Sequence, residues 1–196
     1  FADGAAAAFL GNMLNDYSKY LSLSNDAASA VEDYSLVVSY PFDAGALPLF
    51  FSCVNGYINE NTTYRIEMDV KLVSGAGNTA FYAGFRNNDD SKQFNAAKDL
   101  SAMQAGEVQH LVFDINVGET GDMGGNFYMY MFFMGTGSGS IALDNIVITN
   151  LGDGTGSGGD EQPNLPENLK EAGGSYSENF ADGAAAAFLG NMLNDY

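Results

Sequence analysis

Two stretches of the chain carry side chains suited to gripping a sugar ring. NFYMYMFFM (126–134) sets Tyr128, Tyr130, Phe132 and Met134 at alternate positions, with Phe127, Met129, Met131 and Phe133 between them. TAFYAGFR (79–86) puts Tyr82 and Arg86 on one side of a strand and Phe81, Ala83 and Phe85 on the other. A pyranose offers a flat C–H face to an aromatic ring, and its hydroxyls need polar partners beside that ring. If the two strands are neighbours, Tyr82, Arg86, Tyr128 and Tyr130 line one groove. The opposing consideration is also physical. A strand apolar on both faces is usually buried on both, and the chain has no Trp, the broadest platform for stacking.

A second candidate is a carboxylate. In SIALDNIVITN (140–150), Ile141 and Leu143 share one face of a regular strand, while Ile146 and Ile148 fall on the other. One extra residue at Asp144–Asn145, a β-bulge, returns all four to a common core. A carboxylate at a bulge lies beside carbonyls freed from the ladder, a setting that suits a hard cation such as calcium. The alternative needs no ion: the same Asp accepts backbone hydrogen bonds at the bulge.

Catalytic groupings are missing. The one His, His110 in VQHLVFDI, falls on the strand face opposite Leu111 and Phe113, with no nucleophile placed to complete a triad. Clusters of Cys and His that hold zinc are absent. None of the 25 acidic residues shows a spacing that marks a glycosidase pair. No enzyme activity is expected. Cys53, in LPLFFSCV, reads as a small buried hydrophobe, and one Cys cannot form a disulfide within the chain.

The elements that must position these residues are strands. In TYRIEMDVKLV, Tyr64, Ile66, Met68, Val70 and Leu72 alternate with Arg65, Glu67, Asp69 and Lys71, the pattern of a half-buried strand with one wet face. Further strands are expected at 35–40, 47–54, 79–86, 107–117, 126–134 and 140–150, separated by clusters of Gly, Asn and Asp. Many short strands with turn signals between them predict an antiparallel sandwich. The composition agrees: 46% hydrophobic and only 16% charged excludes a wholly disordered chain. No apolar run reaches the roughly 20 residues of a membrane-spanning helix. A net charge of −18 with seven Lys and Arg excludes a nucleic-acid binder.

The chain also repeats itself. FADGAAAAFLGNMLNDY at 1–17 returns letter for letter at 180–196, 179 positions on. That offset is one domain plus a connection, not a solenoid unit. We therefore expect a β-sandwich domain over 1–150, a Gly/Ser/Asp-rich inter-repeat linker over 151–179, and the start of the next identical copy at 180–196. An irregular first strand, or a short helical turn, is expected in the Ala-rich segment. PENLKEAGG within the linker is expected to make one helical turn ended by Gly173.

Three stretches together resemble the jelly-roll carbohydrate-binding modules, the galactose-binding-like sandwiches. SENFADG (177–183) looks like that family's opening strand, DYSLVVSY (33–40) like an early one, and SIALDNIVITN like the closing strand with its Asp-Asn pair. The resemblance implies an all-β jelly roll and a structural calcium tying first strand to last. By that analogy Asp144 is a ligand, with Asp3 or its copy Asp182, and Glu178, as helpers. Calcium is the one cofactor expected.

Identical copies suggest an array kept uniform. The leading expectation is thus a structural repeat unit of an extracellular filament or surface adhesin stalk. Its partners would be identical neighbouring units, joined in one version by a strand crossing between them. The alternative is a non-catalytic carbohydrate-binding module of a secreted polysaccharide-processing protein, with polysaccharide as its partner. Both place the protein outside the cell or on its surface.

Overall fold

The computed structural model of the chain describes residues 20–40, 46–51, 58–75, 80–87, 92–118, 127–134, 139–152 and 169–178. These form ten strands: β1 (Leu21–Ser24), β2 (Ser35–Tyr40), β3 (Ala46–Phe51), β4 (Thr62–Gly75), β5 (Ala80–Asn87), β6 (Gln93–Lys98), β7 (Val108–Val117), β8 (Phe127–Met134), β9 (Gly139–Asn150) and β10 (Ser175–Glu178). One sheet has the order β1-β2-β9-β4-β7, with β10 also paired to β9. The other has the order β3-β8-β5-β6, and every pairing in both sheets is antiparallel. The protein is an all-β antiparallel sandwich, as its alternating pattern predicts.

Strand alternation builds the core. Tyr64, Ile66, Met68, Val70 and Leu72 of β4 are all at 0% exposure. They meet Phe113 and Ile115 of β7 and, from the facing sheet, Phe81, Phe85, Met129 and Met131. Two edge-on ring pairs bridge the sheets: Tyr64 with Phe85 at 5.4 Å, and Phe81 with Phe113 at 5.8 Å between centroids. Such pairs add about 0.5–1.5 kcal/mol each beyond the area they bury. Pro48, which has no N–H to give a ladder, lies in β3 at the edge of its sheet.

The bulge in the closing strand is present. The β4–β9 register shifts between Glu67 and Asp69, so that Asp69 pairs with Asp144 while Glu67 pairs with Val147. Asn145 takes a left-handed φ of 47° there. Ile141, Leu143, Ile146 and Ile148 all reach 0% exposure, which strict alternation could not achieve.

Two expectations change. Lys71, expected on the wet face of β4, is buried: the turn at 26–30 folds over it, and its Nζ donates to Ala27 O at 2.9 Å and Ala30 O at 2.8 Å. Residues 169–178, expected inside a flexible linker, belong to the sandwich. Leu169 is at 0% exposure, Tyr176 is buried, and β10 lies along β9. The reason is an apolar residue at 169 and an alternating SYSE that fit an open edge beside β9. A short 3₁₀ turn at 169–170 leads in, and Gly173 follows with φ 85°. The Ala-rich segment at 1–17, its copy at 180–196, and Cys53 lie outside the described residues.

Candidate functional site

The four-stranded sheet turns one face to the core and one away. Phe81, Ala83 and Phe85 are at 0% exposure, so Tyr82 and Arg86 fall on the outer side, and both are half-buried. β5 and β8 are neighbours. Their register aligns Tyr82 with Phe132, Gly84 with Tyr130, and Arg86 with Tyr128. Cross-strand partners share a face. Tyr82, Arg86, Tyr128 and Tyr130 therefore occupy three successive rows of one sheet face. The edges extend these rows: β3 places Pro48 opposite Phe132 and Phe50 opposite Tyr130, while β6 places Asn95 opposite Gly84 and Gln93 opposite Arg86.

Gln93 and Asn95, both exposed, were not legible as site positions. QFNAAK has few β-formers, and an exposed edge strand needs none. Gly84 explains how β6 joins the face. A Cβ on it would overlap the Phe94 carbonyl oxygen and lie 2.6 Å from Asn95 Cα. Only glycine lets the two backbones come this close. The resulting rows combine aromatic positions with two amides and one guanidinium, the chemistry that stacks on a ring and hydrogen-bonds its substituents.

The outer face of the larger sheet is different. Arg65 donates twice to Asp114, Nε to Oδ1 at 2.8 Å and Nη2 to Oδ2 at 3.0 Å. This fork holds the Asp114 carboxyl below the usual carboxylate range. His110 is exposed, as its strand position predicts, with Nδ1 2.8 Å from Asp69 Oδ1 and Nε2 3.6 Å from Glu67 Oε1. Hydrogen bonding to Asp69 is the main influence raising its pKa above 6.5. Asp69 also accepts from Asn145 Nδ2 at 2.9 Å. These charges satisfy one another.

At the bulge, Asp144 is 1% exposed. Its Oδ2 accepts from Ser35 Oγ at 2.8 Å and its Oδ1 from the Asn145 N–H at 2.8 Å. Burial raises its pKa, against the opposing pull of those hydrogen bonds. The carboxylate thus does structural duty, joining the start of β2 to the bulge. Glu178 pairs with Ile146, two residues beyond Asp144, whereas Asp3 and Asp182 lie outside the described residues. Among the described residues no group of three or more His, Cys, Asp and Glu gathers as a metal site requires.

No protein-family model matches the sequence, and comparison with curated proteins gives no match. Solved structures do resemble it. An arabinose-bound α-L-arabinofuranosidase (MgGH51) aligns at TM-score 0.50 and 12% identity, over 67% of this chain and 22% of that enzyme. The CBM22-1 xylan-binding domain of Paenibacillus barcinonensis Xyn10C aligns at TM-score 0.46 and 17% identity, over 66% of this chain and 80% of the domain. A cyclase from Fischerella sp. TAU aligns at 0.46 and 10% identity, over 66% and 72%. At these identities the likeness is one of fold. Among the described residues no helix is long and apolar enough to cross a membrane.

Proposed function

We propose that the chain is a non-catalytic carbohydrate-binding sandwich that takes a polysaccharide on the outer face of its four-stranded sheet. The observation that supports this most is the register. It sets Tyr82 and Arg86 in rows with Phe132 and Tyr128, flanked by the exposed amides of Gln93 and Asn95. Rows of ring and amide positions along a sheet face suit an extended chain of sugars. The aromatic positions supply stacking, and Arg86, Gln93 and Asn95 supply hydrogen bonds to hydroxyls. Such a protein works outside the cell or on its surface, where polysaccharide is found.

Affinity electrophoresis through gels cast with a panel of soluble neutral and acidic polysaccharides tests this. At least one polysaccharide should retard the wild-type chain. Tyr82→Ala and Tyr128→Ala should each be slowed clearly less than wild type, and Arg65→Ala should be slowed as much. If no polysaccharide slows the protein, or if Tyr82→Ala is slowed as much as wild type, the reading is wrong.

A second reading is carried by a separate observation, the duplicated seventeen residues. In it the sandwich is one unit of an extracellular array. Sequence flanking this chain should then hold further copies at the same 179-residue offset.

A further inference from the structure

We infer that β10 is an exchangeable closing strand: the slot it fills beside β9 accepts the same segment from a second copy of this chain. Two observations carry it, one of structure and one of sequence.

The slot is built around its occupant. Asn150 is 2% exposed, and every polar group it has faces the segment at 169–174 or the turn after β9. Its N–H donates to Gly174 O at 2.8 Å, its carbonyl accepts from the Gly173 N–H at 2.7 Å, and its Nδ2 donates to Leu169 O at 2.6 Å. The Tyr64 hydroxyl, buried among core residues, donates to the same Leu169 O at 3.1 Å, and Asn59 Nδ2 donates to Lys170 O at 2.8 Å. Leu169 itself is at 0% exposure. With the segment gone, Asn150 and Tyr64 would lose the Gly174 and Leu169 carbonyls they donate to, and Leu169 would leave the core, so the slot favours being filled. β10 meets the sheet on one side only: it pairs with β9 over Ile146–Thr149, while β2 pairs with β9 over Gly139–Leu143. The bulge at Asp144–Asn145 separates them. β10 is thus a four-residue strand docked on an edge, attached by one ladder.

The sequence adds the second observation. Beyond β10, after Asn179 alone, the chain begins again at Phe180 the seventeen residues that stand before β1 at its start. The strand beside β9 therefore stands one residue before a second copy of residues 1–17. A second molecule presents a β9 of identical sequence, so contacts made in one molecule can be made across two. The sixteen residues between Gly152 and Leu169 can span at most about 55–60 Å when fully extended. That exceeds the diameter of a domain this size, so they can carry the segment to a neighbour. Reciprocal exchange gives a closed two-fold dimer, and one-way exchange gives an open string. Neither form depends on carbohydrate binding.

Disulfide trapping tests the exchange on the full chain in a Cys53→Ser background. Asn150 and Gly174 are a hydrogen-bonded position, so Thr149 and Ser175, the next pair, are the closer, non-hydrogen-bonded kind, at about 4.5 Å between Cα atoms. That separation admits a disulfide. One chain carries Thr149→Cys and another, lengthened by a tag, carries Ser175→Cys. The two are unfolded together, refolded at high concentration and oxidised. The expected product is a covalent heterodimer, at least several-fold more abundant than either variant's own homodimer. Adding Tyr176→Pro, which removes the ladder donor facing Ile148, should reduce it. The double variant Thr149→Cys/Ser175→Cys at low concentration should cross-link within one chain. A double variant that closes internally, with no heterodimer from the mixed singles, would overturn the exchange. A double variant that fails to close would overturn the β10–β9 pairing itself, and the exchange with it.

Discussion

The two outer faces of the sandwich are made by the same rule and carry different residues. On the larger sheet, every second residue of β4 points out, and most of those residues carry charge: Arg65, Glu67 and Asp69. Their neighbours on β7 and β9 answer them, Arg65 with Asp114, and Asp69 with His110 and Asn145. On the smaller sheet, the corresponding positions of β5 and β8 are Tyr82, Arg86, Tyr128, Tyr130 and Phe132. A face whose charges are already paired has little left to offer a ligand. A face of ring positions bordered by amides is the one to which we assign the proposed binding. Paired charges suit the first face to water, and the register of ring positions on the second is what supports the proposed binding.

The largest effect that would test this contrast comes from Gly84. Gly84→Ala sets a Cβ against the β6 backbone, at the Phe94 carbonyl and Asn95 Cα. Backbone cannot yield as a side chain would, so β6 must move. We expect a loss of about 2–3 kcal/mol in chemical denaturation, and loss of polysaccharide retention at temperatures where the variant remains folded. Retention at the wild-type level would mean that β6 takes no part in the binding face.

Next comes Asp144, which bears on neither face and serves as the control. Asp144→Ala leaves the Ser35 hydroxyl and the Asn145 N–H without their acceptor, at a cost of about 2 kcal/mol. Polysaccharide retention should be unchanged. Asp144→Asn keeps one acceptor and should cost less, with a pH dependence of known sign. Burial raises the folded carboxyl's pKa above its ordinary 3.8, so the folded state holds the proton more tightly than the unfolded state. The stability this group contributes is fully present below pH 3.8 and falls as pH rises through the folded value. The deficit of Asp144→Asn relative to wild type should therefore be greatest in acid and shrink towards neutrality. Urea midpoints across about pH 3–7 would show it, and a deficit that grows with pH would contradict the raised pKa.

A smaller effect divides the faces directly. Tyr82→Ala should weaken polysaccharide binding about tenfold, the size of one lost aromatic contact of ~1.4 kcal/mol. Arg65→Ala should leave binding alone and cost less than about 1 kcal/mol in stability, because its fork with Asp114 is solvent-exposed. If the two variants exchanged phenotypes, the assignment of faces would have to be reversed.

How legible each element was in the sequence depends on how that element is held. β4 could be read because its period-two pattern is strict over nine residues and each face keeps one character. The bulge in β9 could be read because Ile141 and Leu143 are out of phase with Ile146 and Ile148, and only an extra residue reconciles them. β6 could not. QFNAAK is an exposed edge strand held by its neighbour's backbone, and its place depends on Gly84, whose absent side chain leaves no hydrophobic signal. β10 was hidden for a related reason. It stands apart from the rest of the sheet in sequence, after a Gly- and Ser-rich stretch, and is recruited by Asn150 and Tyr64, whose polar groups reveal nothing of their partners in one dimension. Tyr82, Arg86, Tyr128 and Tyr130 were identifiable as candidates from residue type alone. That they fall in adjacent rows depends on β5 and β8 being neighbours, which is a property of topology.

The smallest expected effect is the sharpest check on the charged face. His110 is 55% exposed, and its pKa is raised chiefly by the hydrogen bond to Asp69, with Glu67 contributing. A raised folded pKa means that the imidazolium is favoured by folding. Its contribution is fully present below pH 6.5 and disappears as pH rises through the elevated value. On an exposed pair this amounts to a few tenths of a kcal/mol. His110→Gln should therefore melt slightly lower than wild type at about pH 5.5 and match it at about pH 9, and added salt should narrow the gap at the lower pH. Polysaccharide retention should trace the same curve in variant and wild type over that range, because the residue lies on the opposite sheet from the proposed binding rows. A pH-dependent change in retention that vanished with His110→Gln would place a working group on the face assigned to solubility, and the contrast between the two faces would no longer hold.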